Sequence, residues 1–168
     1  MSPRRIALLA LAIFAVSATV ALAYEPGHYH GRTEGLYFSP SEREYRSATV
    51  SFDVHNSRVF NIRFEIRVEC SDDSHRSFVV KHGGSLPIGE EGRFHGKATT
   101  NGGTGTDRFS GRIVDERVSG AVSRTIKLTK SGTESASGMQ CSSGRVEYKA
   151  HEVARDSGNQ GGESGSGK

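Results

Sequence analysis

Residues 59–70, with the sequence VFNIRFEIRVEC, alternate apolar and polar side chains over almost their whole length. A period of two places the apolar side chains on one face, which a β-strand does and a helix does not. The apolar positions are Phe60, Ile62, Phe64, Ile66, Val68 and Cys70, and the polar ones are Asn61, Arg63, Glu65, Arg67 and Glu69. The stretch therefore predicts a half-buried strand whose apolar face, Cys70 included, points into a core.

The chain on either side predicts more strands of the same kind. Residues 50–54 alternate similarly and reach the first strand through residues 55–58, which predicts a β-hairpin. Shorter alternating runs follow at 77–80, 92–98, 108–115, 117–130 and 145–151, and Asp115-Glu116 predicts a hairpin tip. Because no amphipathic helix of three turns intervenes, we expect an all-β fold, a single antiparallel β-sandwich or a partly closed barrel of about 8–10 strands.

The chain contains two cysteines, Cys70 and Cys141. An even count in a chain bound for an oxidising compartment predicts one disulfide, with Cα atoms about 4.4–6.8 Å apart. Two separate free thiols are the alternative, and a metal site is disfavoured. On the chain-entropy model, closing a loop of about 70 residues stabilises the fold by roughly 4 kcal/mol.

Residues 1–23 have the layout of a cleaved secretory signal peptide. A charged start at Arg4 and Arg5 precedes an apolar run over 6–20 and the small-residue site Ala21-Leu22-Ala23, so Tyr24 is the expected mature N-terminus. Removing the segment takes two of 22 basic residues and none of 19 acidic ones, which lowers the formal charge from +3 to +1. A charge so near neutrality removes the composition argument for nucleic-acid binding.

Residues 154–168 form a polar tail that is rich in glycine and serine. The tail has too little apolar surface to offset the entropy of ordering, so we expect it to be disordered. Residues 24–153 are then the secreted β domain, a common size for one core. No run in it approaches the roughly 18 apolar residues of a spanning helix. We expect a protein that is secreted, or periplasmic in the cell envelope.

A short element of apolar residue, polar residue and glycine recurs along the chain. It occurs as Tyr29-His30-Gly31, Phe94-His95-Gly96, Phe109-Ser110-Gly111 and Val118-Ser119-Gly120. The third position shares a strand face with the first, so these glycines would point inward and leave room for a neighbouring ring or strand. Chance enrichment in a chain with 21 glycines is the alternative.

Histidines are the only candidate metal ligands that the pattern brings together. The spacing His28-x-His30 places two imidazoles on one face of a strand, and His95 is the best third ligand for a zinc site. The competing interpretation is that His30 and His95 are ordinary solvent-facing neighbours of inward Tyr29 and Phe94.

The sequence predicts no catalytic residue and no cofactor. His151-Glu152 begins like the zinc-protease motif, but Arg155 stands where the second histidine is required, and no G-x-S-x-G element exists. Carbohydrate binding by aromatic stacking would depend on Tyr24, Tyr37 and Tyr45, since the chain has no Trp.

The order of short motifs resembles that of a group of uncharacterised bacterial secreted β domains. The motifs are Tyr-His-Gly-Arg at 29–32, Val-Ser-Phe-Asp-Val at 50–54, Arg-Phe-Glu-Ile-Arg-Val-Glu-Cys at 63–70, Leu-Pro-Ile at 86–88, Gly-Arg-Phe-His-Gly-Lys at 92–97, Phe-Ser-Gly-Arg at 109–112, Val-Ser-Gly-Ala-Val at 118–122 and Cys-Ser-Ser-Gly-Arg-Val-Glu-Tyr-Lys-Ala at 141–150. The resemblance covers Tyr29 to about His151. It implies an exported domain with one disulfide and a β fold, and it carries no activity.

These observations together predict a non-enzymatic binding domain or a structural envelope protein. Its partner would be a protein or a carbohydrate at the cell surface, and not a nucleic acid. A secreted metal-dependent or hydrolytic enzyme is the alternative. A concave site with converging polar groups would favour the enzyme, whereas a binding domain can use a face, an edge or loops.

Overall fold

A computed structural model describes residues 24, 26–39, 41–100 and 103–153, and most of these residues lie in strands. The ten strands are β1 (Gly27–Ser39), β2 (Glu44–His55), β3 (Arg58–Cys70), β4 (His75–His82), β5 (Leu86–Pro87), β6 (Arg93–Thr99), β7 (Gly105–Val114), β8 (Arg117–Leu128), β9 (Met139–Ser142) and β10 (Val146–Val153). A short 3₁₀ turn lies at Glu90–Gly92, before β6. The predicted signal peptide and tail lie outside these ranges.

The strands form a closed barrel with two arms. The hydrogen-bonded path β10-β1-β2-β3-β9-β8 returns to β10, which closes a ring of six strands, and every pairing is antiparallel. One arm is β7 and β6, added to β8, and the other is β4 and β5, added to β3. The predicted all-β fold is confirmed, as a barrel rather than a sandwich.

Aromatic rings fill the centre of the barrel. The ring of Phe52 lies 5.2 Å from that of Tyr29, 5.8 Å from Phe94 and 5.6 Å from Phe109. Inward glycines make room for such rings, because a Cβ at either Gly111 or Gly120 would lie 2.6 Å from the Tyr148 hydroxyl. The prediction that the recurring glycines point inward and make room for a ring is therefore confirmed at Gly111 and Gly120.

Strand β3 follows the predicted alternation from Ile62 onward, but not at Phe60. Ser51 pairs with Arg63 and Asp53 pairs with Phe60, so two residues of β3 oppose Phe52 alone. This is a β-bulge, and Asn61 within it has a φ of 50°. The bulge turns Val59 into the core and leaves Phe60 half-buried, so the predicted core position of Phe60 is wrong.

Both predicted hairpins are present. Asn56 and Ser57 have φ values of 48° and 53°, as a two-residue turn that continues the strand twist requires, and they join β2 to β3. The Asp115-Glu116 turn joins β7 to β8 in the same way, with Val114 paired to Arg117. These turns fix which residues of each strand face outward.

The Cys70–Cys141 disulfide joins β3 to β9. The two residues are direct partners in the sheet, with Cα atoms 3.9 Å apart. The expected range of about 4.4–6.8 Å was too long, because directly opposed residues approach closely in an antiparallel pair. The disulfide fits an oxidising compartment. Among the described residues, none forms a helix with the length and apolarity needed to cross a bilayer.

Candidate functional site

The three candidate metal-binding histidines lie on two distant strands of the sheet. The Nδ1 atom of His28 is 2.7 Å from Oδ1 of Asp53, His30 is exposed on β1 opposite His151, and His95 is exposed on β6 at the end of the β7–β6 arm. The structure does not bring these imidazoles together. Within the described ranges, no group of three His, Cys, Asp or Glu residues has the geometry to hold a metal ion.

Of the three candidate aromatic platforms, only Tyr45 is open to solvent. Tyr37 is 6% exposed, and Tyr24 packs against the core. Tyr45 is 57% exposed, with the ring of Phe38 at 5.2 Å and the guanidinium of Arg67 at 5.3 Å. One exposed ring already engaged by its neighbours is weak support for sugar stacking.

An ion pair joins the inward faces of β7 and β8. Asp107 and Arg124 are direct partners in the sheet, and Nη1 of Arg124 donates to both carboxylate oxygens of Asp107 at 3.2 Å. Burial raises the pKa of Asp107, and the charge of Arg124 opposes this shift without cancelling it. A buried acid with a raised pKa is a common feature of catalytic sites.

The cavity beside Asp107 is too small for catalysis on an organic substrate. It lies between the two arms, against Phe64, Val80 and Leu86, and its volume is about 20 Å³. Such a space holds about one water molecule. Sequence analysis missed this pair, although Arg124 shares the strand parity of the inward Val122 and Ile126 and could have been found by that signal.

The outer face of β7, β8 and β10 is strongly basic. Strand alternation turns Arg108 and Arg112 outward on β7 and Arg117 outward on β8, on the opposite side from the core residues. Lys149 of β10 is also exposed and pairs across the sheet with Ser119 of β8, which in turn pairs with Arg112. The register therefore collects these cations on neighbouring strands, about 4.8 Å apart from one strand to the next.

Two grooves run across this basic face. The first, the Ser119 groove, encloses about 560 Å³ and is lined by Arg112, Arg117, Ser119, Lys149 and His151, among others. The second, the Ser123 groove, encloses about 500 Å³ and is lined by His95, Lys97, Arg108, Ser123 and Arg145, among others. Of the described residues that line either groove, none is Asp or Glu.

Few acidic groups neutralise these cations. Glu91 pairs with Arg93 at 3.0 Å and with Arg112 at 3.6 Å, and Glu147 pairs with Arg145 at 3.5 Å. Four groove cations make no ion pair shorter than 4 Å with any residue in the described part of the chain; they are Lys97, Arg108, Arg117 and Lys149. The grooves can therefore bind anionic groups through charge-assisted hydrogen bonds, with serine hydroxyls as additional donors.

Sequence analysis missed this face because residues 24–168 are almost neutral as a whole. The basic residues become a cluster only when the strand register is known, since they come from four separate strands. A comparison with protein-family models and with curated proteins found no match for the chain.

Proposed function

We propose that this chain is an exported, non-enzymatic binding domain that holds an acidic polysaccharide against the outer face of β7, β8 and β10. The observation that supports this proposal is the pair of basic grooves, whose described lining residues include no Asp or Glu. Export rests on the signal peptide expected at residues 1–23, and the disulfide agrees with that compartment.

A polysaccharide fits these grooves better than a single-stranded nucleic acid does. Proteins that bind single strands without sequence preference stack bases on exposed aromatic rings. Among the described residues that line either groove, Phe109 is the only Phe, Tyr or Trp, and its ring belongs to the core. The serines and the long cationic side chains suit hydroxyl and carboxylate groups instead.

The alternative of a hydrolytic enzyme has less support. The acid with a raised pKa, Asp107, faces a cavity with room for about one water molecule, and the Ser119 and Ser123 grooves hold cations rather than a paired acid and base. A third groove, of about 560 Å³, holds the His28–Asp53 pair, but no Ser, Thr or Cys is among the described residues that line it. Binding requires only complementary charge and shape, both of which the basic face offers.

The test compares two polymers that share a backbone and differ in charge. Polygalacturonate carries a free carboxylate on each unit, and its methyl-esterified form does not. We expect the protein to bind the free acid, with an affinity that falls as salt is added, and to bind the ester far more weakly. Equal binding of both polymers would overturn the proposal, and so would a failure to bind any acidic polymer.

Amino-acid substitutions test whether the polymer binds to this face. Arg117→Gln combined with Lys149→Gln removes two unpaired cations and should weaken binding by about tenfold, because each exposed charge contact contributes up to about 1 kcal/mol. Arg63→Gln is the matched control, since Arg63 is an exposed arginine on β3, three strands away from β10 in the sheet. An equal loss in the control would show that the polymer senses overall charge rather than this face.

A further inference from the structure

The two grooves share one floor along β8. Ser119 and Ser123 both face outward and lie four residues apart, which is about 13 Å along a strand. Ala121 lies midway between them and lines the Ser123 groove, so β8 itself places no long side chain between the two grooves. The two grooves are therefore neighbours along β8.

Cations stand beside each end of this floor. On β7, Arg112 is the direct partner of Ser119, and Arg108 is the direct partner of Ser123. On the other side, Lys149 of β10 is the direct partner of Ser119. Both ends of the floor thus offer positive charge within one strand spacing, about 4.8 Å.

The middle of the floor has the opposite charge beside it. Glu147 of β10 is the direct partner of Ala121 and is exposed. An acidic unit placed over Ala121 would meet repulsion from this carboxylate, whereas a neutral sugar unit would not. The face therefore presents positive, negative and positive charge in order along β8.

We propose that the Ser119 and Ser123 grooves are two subsites for one polysaccharide chain in which neutral units separate the acidic ones. This inference rests on the proposed function and specifies its ligand. The chain lies along β8, with one acidic group in each groove and a neutral unit beside Glu147. Engagement of both grooves by one molecule raises the affinity by about 10² or more without any new kind of contact.

The test uses two series of oligosaccharides of matched length. Hyaluronate oligomers alternate acidic and neutral units, and galacturonate oligomers carry an acid on every unit. For hyaluronate, we expect weak binding of the shortest oligomers and a rise of about 10²-fold once an oligomer reaches both grooves. Lys97→Gln combined with Arg108→Gln should abolish that rise, so that long hyaluronate oligomers bind about as weakly as the shortest ones.

Glu147→Gln tests the charge order. It should strengthen the binding of galacturonate oligomers several-fold and that of hyaluronate oligomers less, because both series gain from the release of Arg145 but only the first loses a direct repulsion. An affinity that grows only in proportion to oligomer length would overturn the two-subsite inference, and so would an equal effect of Glu147→Gln on both series. In either case binding itself persists, whereas no binding to any acidic oligomer would instead overturn the proposed function.

Discussion

Glu65 and Asp107 are both buried carboxylates beside an arginine, but they are bound in different ways. Nη1 and Nη2 of Arg46 each donate to a separate oxygen of Glu65, at 2.7 and 2.8 Å. The backbone N–H and the hydroxyl of Thr49 donate two further hydrogen bonds, at 3.0 and 2.8 Å. This pair lies on the outer face of β3, where Arg46 remains partly exposed to water.

Asp107, on the inward face of β7, accepts fewer and longer hydrogen bonds than Glu65 does. Both of its hydrogen bonds come from the single Nη1 atom of Arg124, at 3.2 Å, and this geometry lacks the two-pronged fork of a strong Arg–carboxylate pair. Nη2 of Arg124 reaches Glu134 only at 3.5 Å, and its buried Nε finds no hydrogen-bond partner among the described residues. The ring of Phe78 covers the guanidinium at 4.6 Å.

As a result, the pKa values of the two carboxyl groups shift in opposite directions from their ordinary values. Burial raises the pKa of each, but the hydrogen bonds from Arg46 and Thr49 bring the pKa of Glu65 below its ordinary value. The pKa of Asp107 stays above its ordinary value, because the charge of Arg124 compensates only part of the desolvation. An adjacent arginine is therefore not enough to stabilise a buried carboxylate; the number and geometry of the donors decide.

The largest effect should come from removing one partner of the interior pair. Arg124→Met leaves Asp107 buried without its cation, which typically costs about 3–5 kcal/mol. The double variant Asp107→Leu with Arg124→Met should recover most of this loss, because a buried ion pair is often no more stable than apolar residues of similar size. Denaturant unfolding measures both. A double variant as unstable as the single one would show that the pair itself stabilises the barrel.

A smaller loss is expected at the outer pair. Glu65→Gln keeps the shape but weakens four hydrogen bonds to a charged group, and it leaves Arg46 in contact with water, so we expect a cost of about 1–2 kcal/mol. Glu69→Gln on the same strand is the matched control, because Glu69 is exposed, and it should change stability by less than about 0.5 kcal/mol. If Glu65→Gln and Glu69→Gln lower the unfolding free energy equally, then the four hydrogen bonds of Glu65 do not stabilise the fold more than an exposed carboxylate does.

Local patterns predicted seven of the ten strands and both hairpin turns, but they gave no run for β1, β5 or β9. The inward face of β3 from Ile62 to Cys70 and the Asp115-Glu116 turn depend on neighbouring residues alone, which a sequence displays directly. The bulge at Asn61 was not predictable, because it depends on how many residues of β2 and β3 face each other. The burial of Glu65 was missed for a related reason. The alternation of β3 turns Glu65 outward, and the residue that covers it, Arg46, comes from another strand.

Non-local pairing also explains what sequence analysis could not find about the site. Closure of the barrel depends on the pairing of β10 with β8, which joins segments whose adjacency no local pattern indicates. The basic face depends on the same pairing, since Lys149 joins Arg112 and Arg117 only through it. The signal peptide and the binding function stay predictions.

The smallest effect is a difference in pH dependence between the two carboxylates. The depressed pKa of Glu65 means that its contribution to stability is present above the ordinary glutamate value, about 4.3, and is lost as the pH falls through the folded-state pKa. The raised pKa of Asp107 means the reverse: its protonated form contributes stability that is full below the ordinary aspartate value, about 3.9, and is lost as the pH rises through the folded-state pKa.

Acidification from pH 7 towards pH 3 should therefore reduce the stability advantage of the wild type over Glu65→Gln. The same change should raise the stability of the wild type relative to Asp107→Asn. Each unit of pKa shift corresponds to about 1.4 kcal/mol, and titrating groups common to the three proteins cancel in these differences. Unfolding free energies measured at a series of pH values give both differences. If both free-energy differences change in the same direction with pH, then the geometry of the arginine donors does not decide whether the pKa of a buried carboxyl is raised or lowered.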